Sequence, residues 1–252
     1  METDNLTNQK CNGVTGIIVI GGDGTINRAV NQLNCFDLPI GIVPGGSGND
    51  FIKSINIGKG LNEQIKTAVH GEVMAIDMGD CNGRLFVNGF GLGFDGQIAY
   101  EFDQNRTILK GHAAYYYHVL RILAGYKPRQ LKFEIDGKGY EEKILLIAVS
   151  KGTTFGGGFK LTPHARLNDG KFAICLIKDL KPIKRFLNLG LLKDGTHSKL
   201  PEVELLKGTQ IKIHRQENMI AHVDGEIVGR PPYELKIIDR KLRLRVGNTA
   251  FN

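Results

Sequence analysis

Two glycine-rich loops constrain this chain more than any other feature. They are Gly21–Asn27 (Gly-Gly-Asp-Gly-Thr-Ile-Asn) and Pro44–Phe51 (Pro-Gly-Gly-Ser-Gly-Asn-Asp-Phe). Each follows a short apolar run and precedes a helical pattern. Val14–Ile20 reads as a buried strand. Beyond the first loop, Ile26, Ala29, Val30 and Leu33 recur at i, i+3, i+4, i+7, one face of a helix. Pro39–Val43 is a second short apolar run, and Asp50–Ile55 can open a second helix. Strand, glycine turn and helix in succession make a phosphate cradle. Glycine lets backbone N–H groups approach closely, and the helix N-terminus adds positive partial charge. Asp23 would repel a phosphate unless magnesium lay between them. The local reading is therefore a nucleotide site with a metal, with Asp23 as a ligand or part of the metal's water shell. As plain architecture, both loops are strand-to-helix turns capped by Thr25 and Ser47. Two such loops in adjacent units of one sheet meet at its carboxyl edge, where open α/β sheets bind ligands, and this favours the phosphate reading.

Together the two loops resemble the diacylglycerol kinase catalytic-domain family, most closely its soluble bacterial lipid kinases. Gly-Gly-Asp-Gly-Thr is shared with NAD kinases and 6-phosphofructokinases; the Asn49-Asp50-Phe51 ending of the second loop favours the lipid kinases. The resemblance implies an α/β protein of two domains. The first is a Rossmann-like or NAD-kinase-like nucleotide-binding domain, and the second is β-sandwich-like. It implies ATP and Mg2+, with the nucleotide held by Gly22, Asp23, Gly24, Thr25, Ile26, Asn27, Arg28 and Ser47, and Asp23 and Asp50 organising the metal. Arg28 stands where the family commonly has Glu. Family members carry an earlier strand–helix unit with an Asn-Pro-x-Ser-Gly loop, which Met1–Gly13 does not match. The expectation is a first domain over 1–75, truncated at its N-terminus, and a second over 76–252, with the last strand free to return to the first.

Composition narrows the setting. The 252 residues are 41% hydrophobic and 23% charged, as in an ordinary globular protein with one or two cores. Cys11, Cys35, Cys81 and Cys175 are scattered and form no Cys-x-x-Cys pair, so they read as buried free thiols in a reducing compartment. Met1–Lys10 is polar, without the apolar segment of a signal peptide, and Ile144–Val149 is too short to span a bilayer. A cytoplasmic protein without a transmembrane segment is expected. The net charge of +7 suits nucleotide phosphates and an anionic leaflet, or simply a basic surface. No nucleic-acid motif accompanies it, so nucleic acid is not expected as a partner.

Leu61, Ile65, Ala68 and Val69 mark a helix that Gly71 ends. From Glu72 the texture turns to strands, first a hairpin about Asn82-Gly83, then Leu131–Ile135 and Tyr140–Ser150 about Asp136-Gly137. Lys171–Ile177, Thr209–His214, Met219–Val223, Glu226–Val228, Tyr233–Ile237 and Leu242–Val246 follow, interrupted by a helix over Ile183–Leu192. A further helical stripe runs through Tyr116, Val119, Leu120, Leu123 and Ala124. Asn88–Gly96 is glycine-rich but is weak evidence for a phosphate site. Thr153–Phe159 is the expected flexible loop. His164, His197, His214 and His222 have no metal spacing and read as structural or surface residues.

Asp-Gly recurs along the chain as an ordinary turn signal. Asp224-Gly225-Glu226 differs by its second carboxylate, and it matches the family motif in which the Glu is the catalytic base. The resemblance thus assigns Glu226 to take the proton of a lipid hydroxyl during phosphoryl transfer. It also matches His164–Gly170 to a segment that binds a structural magnesium, with the Asp169 carboxylate and the backbone carbonyls of Arg166 and Lys171 as donors; cationic side chains cannot ligate a cation. The implied reaction is transfer of the ATP γ-phosphate to diacylglycerol or a related lipid, at a membrane surface, by a monomer or a homodimer. The alternatives are an NAD-kinase-type phosphotransferase and a non-catalytic lipid- or nucleotide-binding remnant.

Overall fold

The computed structural model describes residues 13–32, 37–104, 111–216 and 219–247. Met1–Lys10, Cys11, Leu33 and Cys35 lie outside the described residues. The chain opens with β1 (Ile17–Gly21), α1 (Asp23–Gln32) and β2 (Ile40–Pro44), a parallel strand pair bridged by a helix. β2 is buried along Ile40–Val43 because it has neighbours on both sides. β1 is not the buried strand its composition suggests. Among the described residues it pairs only with β2, and Ile18 and Ile20 are exposed while Val19 is buried. Asp50–Ile55 forms only a short 3-10 turn, Phe51–Ser54, before α2 (Leu61–His70).

The strand-rich remainder contains β3 (Glu72–Cys81), β4 (Arg84–Phe86), β5 (Gly89–Gly93), α3 (Phe94–Gln104), α4 (Gly111–Gly125), β6 (Arg129–Ile135), β7 (Lys138–Ser150) and β8 (Phe172–Lys178). It continues through α5 (Pro182–Leu187), α6 (Leu189–Asp194), β9 (Val203–Gly208), β10 (Gln210–Ile213), β11 (Ala221–Val223), β12 (Glu226–Gly229) and β13 (Tyr233–Val246). One curled mixed sheet runs β1-β2-β13-β10-β6-β7-β5-β11-β12, with β3 beside β13, β4 beside β3, β8 beside β7 and β9 beside β8. The hairpins about Asn82-Gly83 and Asp136-Gly137 form as their turn residues dictate. The helix expected over Ile183–Leu192 is two short helices broken at Asn188.

β13 joins the architecture. Fourteen extended residues reach about 46 Å. The Leu235 end lies in a core with Phe90, Phe133 and Phe172, and the Leu242–Val246 end lies in a second core with Ile26, Ile42, Phe51 and Met78. The two expected strands, Tyr233–Ile237 and Leu242–Val246, are this one element, with a register irregularity against β3 between Ile238 and Leu242. Leu244 pairs with Ile40 of β2 in parallel. A third core lies under α3 and α4, around Phe94, Ile98, Leu123 and Ile177.

Cys81 and Cys175 are both buried, and burial pushes each thiol up to about 12. Neither is a thiolate at neutral pH. Among the described residues no helix is long and apolar enough to cross a membrane.

The packing of α2 on β2 depends on Gly41, where a Cβ would fall 2.0 Å from the Ala68 carbonyl oxygen. Gly41→Ala is expected to lower unfolding free energy by about 3 kcal/mol, because helix and strand backbones must separate. Urea denaturation measures it.

Candidate functional site

The first glycine loop turns directly into α1, so the first-turn N–H groups of that helix face the loop. Gly22 starts the turn, its carbonyl accepting from the N–H groups of Thr25 (3.0 Å) and Ile26 (3.1 Å). The second loop lies against the first, backbone to backbone. Gly45 N–H donates to the Gly21 carbonyl at 2.9 Å, and a Cβ on Gly46 would stand 2.5 Å from the Gly22 Cα. No other residue type fits where the loops cross.

Asp23 locks this crossing. One carboxylate oxygen accepts the Asp50 N–H and the other the Phe51 N–H, each at 3.0 Å. These are N–H groups at the start of the 3-10 turn, so Asp23 caps the second loop from the first. Asp50 faces inward. Its carboxylate takes the Lys53 ammonium and the Gly157 N–H, both at 2.6 Å, and burial pushes its carboxyl above the usual range. It is a tie to the 153–159 segment and not the open metal organiser that the resemblance implied. That segment is correspondingly pinned. Thr153 N–H donates to Ser54 Oγ at 2.9 Å, and Phe155 and Phe159 are buried and bridge to each other. The expected flexible loop is tied to the second glycine loop and the turn after it.

The sequence-assigned nucleotide residues divide into two groups. Gly22, Asp23, Gly24 and Thr25 line the turn, and Thr25, Arg28 and Ser47 are exposed around it. Ile26 and Asn27 point the other way. The Ile26 side chain is core, and Asn27, 1% exposed, donates to the Leu85 carbonyl and to Asp224 Oδ2, each at 3.0 Å. Asn27 therefore joins α1 to the Asp-Gly-Glu turn rather than reaching for a ligand.

Asp224 is the buried centre of that turn. Its Oδ2 accepts from Asn27 and from the Val87 N–H at 3.0 Å; its Oδ1 accepts the Asn88 N–H at 3.0 Å and the Gly89 N–H at 2.8 Å. Burial pushes its carboxyl upward against the pull of these four donors. Its backbone has a φ of +49°, followed by Gly225 at +89°, the hairpin turn between β11 and β12. Gly225 N–H donates to His222 Nδ1 at 3.1 Å, which leaves the ring proton on Nε2, 2.8 Å from Asp95 Oδ2. His222 is thus a structural residue, and Asp95, in the first turn of α3, orients it.

The product of this scaffold is the position of Glu226. It is exposed, and its Oε1 would lie 3.3 Å from a Cβ placed on Gly24. A carboxylate from one end of the chain overhangs the glycine loop from the other. Nothing in residue spacing indicated the roles of Asn27, His222 and Asp95. Their only local signal is a polar residue in an apolar stretch, since the Asn27–Asp224 and His222–Asp95 contacts each span more than a hundred residues.

The proposed structural magnesium fails a fit test. Lys151, 0% exposed, directs its ammonium to Asp77 Oδ2 and Asp169 Oδ1 at 2.8 Å each and to the Lys171 carbonyl at 2.7 Å. Lys207 takes the other Asp169 oxygen at 3.0 Å. The donors assigned to the ion at Asp169 and Lys171 are occupied, and Arg166 stands exposed on the same loop. A divalent ion about 3 Å from the ammonium would meet a repulsion of roughly 10 kcal/mol at an effective dielectric constant near 20. Among the described residues, no cluster of three or more His, Cys, Asp or Glu could hold a metal. Asp169, Arg166 and Lys171 are therefore not a metal site in this chain.

The chain matches the diacylglycerol kinase catalytic domain over residues 2–81 and the YegS C-terminal NAD kinase beta sandwich-like domain over residues 90–246. It is 30% identical over 232 residues to a diacylglycerol kinase of Bacillus subtilis, covering 90% of this chain and 76% of that protein. The chain belongs to the diacylglycerol kinase family. A diacylglycerol kinase of Staphylococcus carnosus is also 30% identical, over 220 residues, 86% of this chain and 71% of that one. The fold of the family is present as well. A crystal structure of a diacylglycerol kinase from Bacillus anthracis superposes with a TM-score of 0.71 at 22% identity, over 98% of this chain and 84% of that chain. A second crystal structure from the same organism gives 0.75 at 24% identity, over 95% of this chain and 80% of that chain.

Two outcomes follow from these carboxylates. Asp224→Asn turns an NH2 group toward N–H donors and should cost about 3 kcal/mol in urea denaturation. Asp169 behaves differently. Burial raises its carboxyl, but the hydrogen bonds from Lys151 and Lys207 outweigh burial and hold it below the usual range. A carboxyl depressed by folding contributes stability above its unfolded pKa of about 3.9 and loses it as pH falls through the folded value. Asp169→Asn should flatten the acid limb of the stability–pH curve below about pH 4, measured by thermal melts across pH.

Proposed function

We propose that this chain is a lipid kinase that transfers the γ-phosphate of ATP to the hydroxyl of diacylglycerol or a related lipid. One observation carries the reading: the exposed Glu226 carboxylate overhangs the glycine loop at Gly24, on a turn anchored by Asp224. Phosphoryl transfer needs phosphate-binding N–H groups and a proton acceptor for the attacking hydroxyl on facing walls of one crevice. The N–H groups of Gly22–Gly24 and of the loop around Ser47 hold the phosphates, with Arg28 adding positive charge. Glu226 accepts the hydroxyl proton as that oxygen bonds to the γ-phosphorus and the bond to the β-phosphate oxygen breaks, releasing ADP. Magnesium bound with ATP would neutralise phosphate charge, and Asp23, which retains lone pairs after accepting its two N–H bonds, would hold it or its water shell. In this reading residues 1–75 hold the nucleotide and 76–252 supply the base and meet the lipid.

A membrane-surface substrate is supported by α5 and α6. Ile183 and Leu187 are 67% and 76% exposed, flanked by exposed Lys181, Lys184 and Lys193, an apolar and basic face suited to an anionic leaflet. The hairpin is tied to the C-terminal end of α4 by buried Arg185, which donates to the Leu123 and Tyr126 carbonyls at 2.9 and 2.8 Å. α4 in turn packs on α3, whose first turn holds the Asp95 partner of His222.

The test is transfer of labelled γ-phosphate to diacylglycerol in mixed micelles. Glu226→Gln should lower kcat by at least about 100-fold with the KM for ATP nearly unchanged. Equal rates in the two proteins, or transfer to NAD instead of lipid, would refute the reading. Separately, Ile183→Asp with Leu187→Asp should weaken sedimentation with phosphatidylglycerol vesicles about tenfold while leaving ATP binding intact.

A further inference from the structure

We propose that Lys151 is a built-in cation that takes the place of a divalent ion at the junction of β3, β7 and the loop leading into β8. Its ammonium is enclosed completely and meets three oxygens on two other segments: Asp77 of β3, and Asp169 and the Lys171 carbonyl of the loop, all within 2.8 Å. Two carboxylates and one carbonyl around a small volume form a donor set that a hard cation of the magnesium type would also accept. Here the cation is covalently attached to the chain.

The neighbouring contacts show what the cage does. Asp77 Oδ2 also accepts the Gly170 N–H at 2.8 Å, and Asp77 N–H donates to the Leu167 carbonyl at 2.7 Å, so the 167–171 loop is bound to β3 through Asp77 at both ends. The Lys151 and Gly152 N–H groups both donate to the Asn88 carbonyl, at 2.9 and 3.0 Å. Asn88 N–H donates to Asp224, which carries the Glu226 turn. The cage therefore stands one residue away from the anchor that positions the exposed carboxylate. Lys151 is a positioning residue, and it keeps that anchor independent of the supply of divalent ions. The inference rests on the cage geometry and not on the kinase reading.

A substitution that removes the ammonium but keeps its bulk, Lys151→Met, leaves the Asp77 and Asp169 carboxylates facing each other and converts the cage into an ion site. Without nucleotide, the wild-type chain should melt at the same temperature in EDTA and in 10 mM Mg2+, within about 1 °C. Lys151→Met in EDTA should melt lower by roughly 10 °C, and added Mg2+ should restore at least half of the loss. A Lys151→Met protein that folds only in the presence of Mg2+ gives the same answer. Should that variant stay unfolded under every condition, Mn2+ binding to the wild-type chain decides, read by electron paramagnetic resonance. No site at micromolar Mn2+ that depends on Asp169 is expected. A bound Mn2+ that Asp169→Asn removes and Glu226→Gln leaves would overturn the inference. So would a Lys151→Met protein that melts with the wild type, or one that folds but does not respond to Mg2+. Loss of phosphate transfer in Glu226→Gln bears on the function and leaves these melting results untouched.

Discussion

The buried carboxylate of Asp224 is the interaction on which the rest of the arrangement depends. Four N–H donors converge on it, three from the backbone of Val87–Gly89 and one from Asn27 of α1. A buried carboxylate is tolerated only when its lone pairs are met by donors, and removing one costs the desolvation of the group left behind. These bonds connect elements far apart in sequence: the first helix, the start of β5 and the β11–β12 hairpin. Whatever positions Glu226 over the glycine loop acts through this group. His222 supports the same turn from below, with its tautomer set by the Gly225 N–H.

A second buried charge system lies beside it. Lys151 neutralises Asp77 in the interior, and Asp169 and Lys207 extend the pairing to the surface. Buried ion pairs rarely add net stability over apolar packing, but breaking one is costly, and they fix geometry. The two systems meet at Asn88, whose N–H serves Asp224 and whose carbonyl serves the backbone of Lys151 and Gly152. Polar interactions thus specify the region where the cores meet, and the cores themselves are apolar.

Local sequence carried the strand–turn–helix character of the first loop, the hairpins about Asn82-Gly83 and Asp136-Gly137, and most of the later strands, because turn chemistry and side-chain alternation are local properties. It failed where neighbours decide. Ile18 and Ile20 are apolar but exposed, since β1 has a strand on one side only among the described residues. Tyr233–Ile237 and Leu242–Val246 read as two strands, yet β3 pairs with both and makes them one. Val203–Gly208 has weak alternation and gave no expectation, but β8 pairs with it as β9. Gly156, Gly157 and Gly158 suggested a flexible loop, and the Asp50 carboxylate and two buried phenylalanines hold it.

The candidate site divides in the same way. The glycine loops were legible because close backbone approach restricts residue type at each position, whereas the Asp-Gly-Glu turn, one Asp-Gly among several, stood out only through the family resemblance. Spacing could not reveal that Asn27 faces Asp224 rather than a ligand, that Asp50 is turned inward, or that Asp169 and Lys171 surround an ammonium. Those outcomes depend on which charges the fold brings within 3 Å of one another. The sequence by itself determined the class of fold and the positions of the two glycine turns. Only the tertiary structure decided which cation each carboxylate meets, because burial makes an unpaired charge intolerable and the partner arrives from a distant segment.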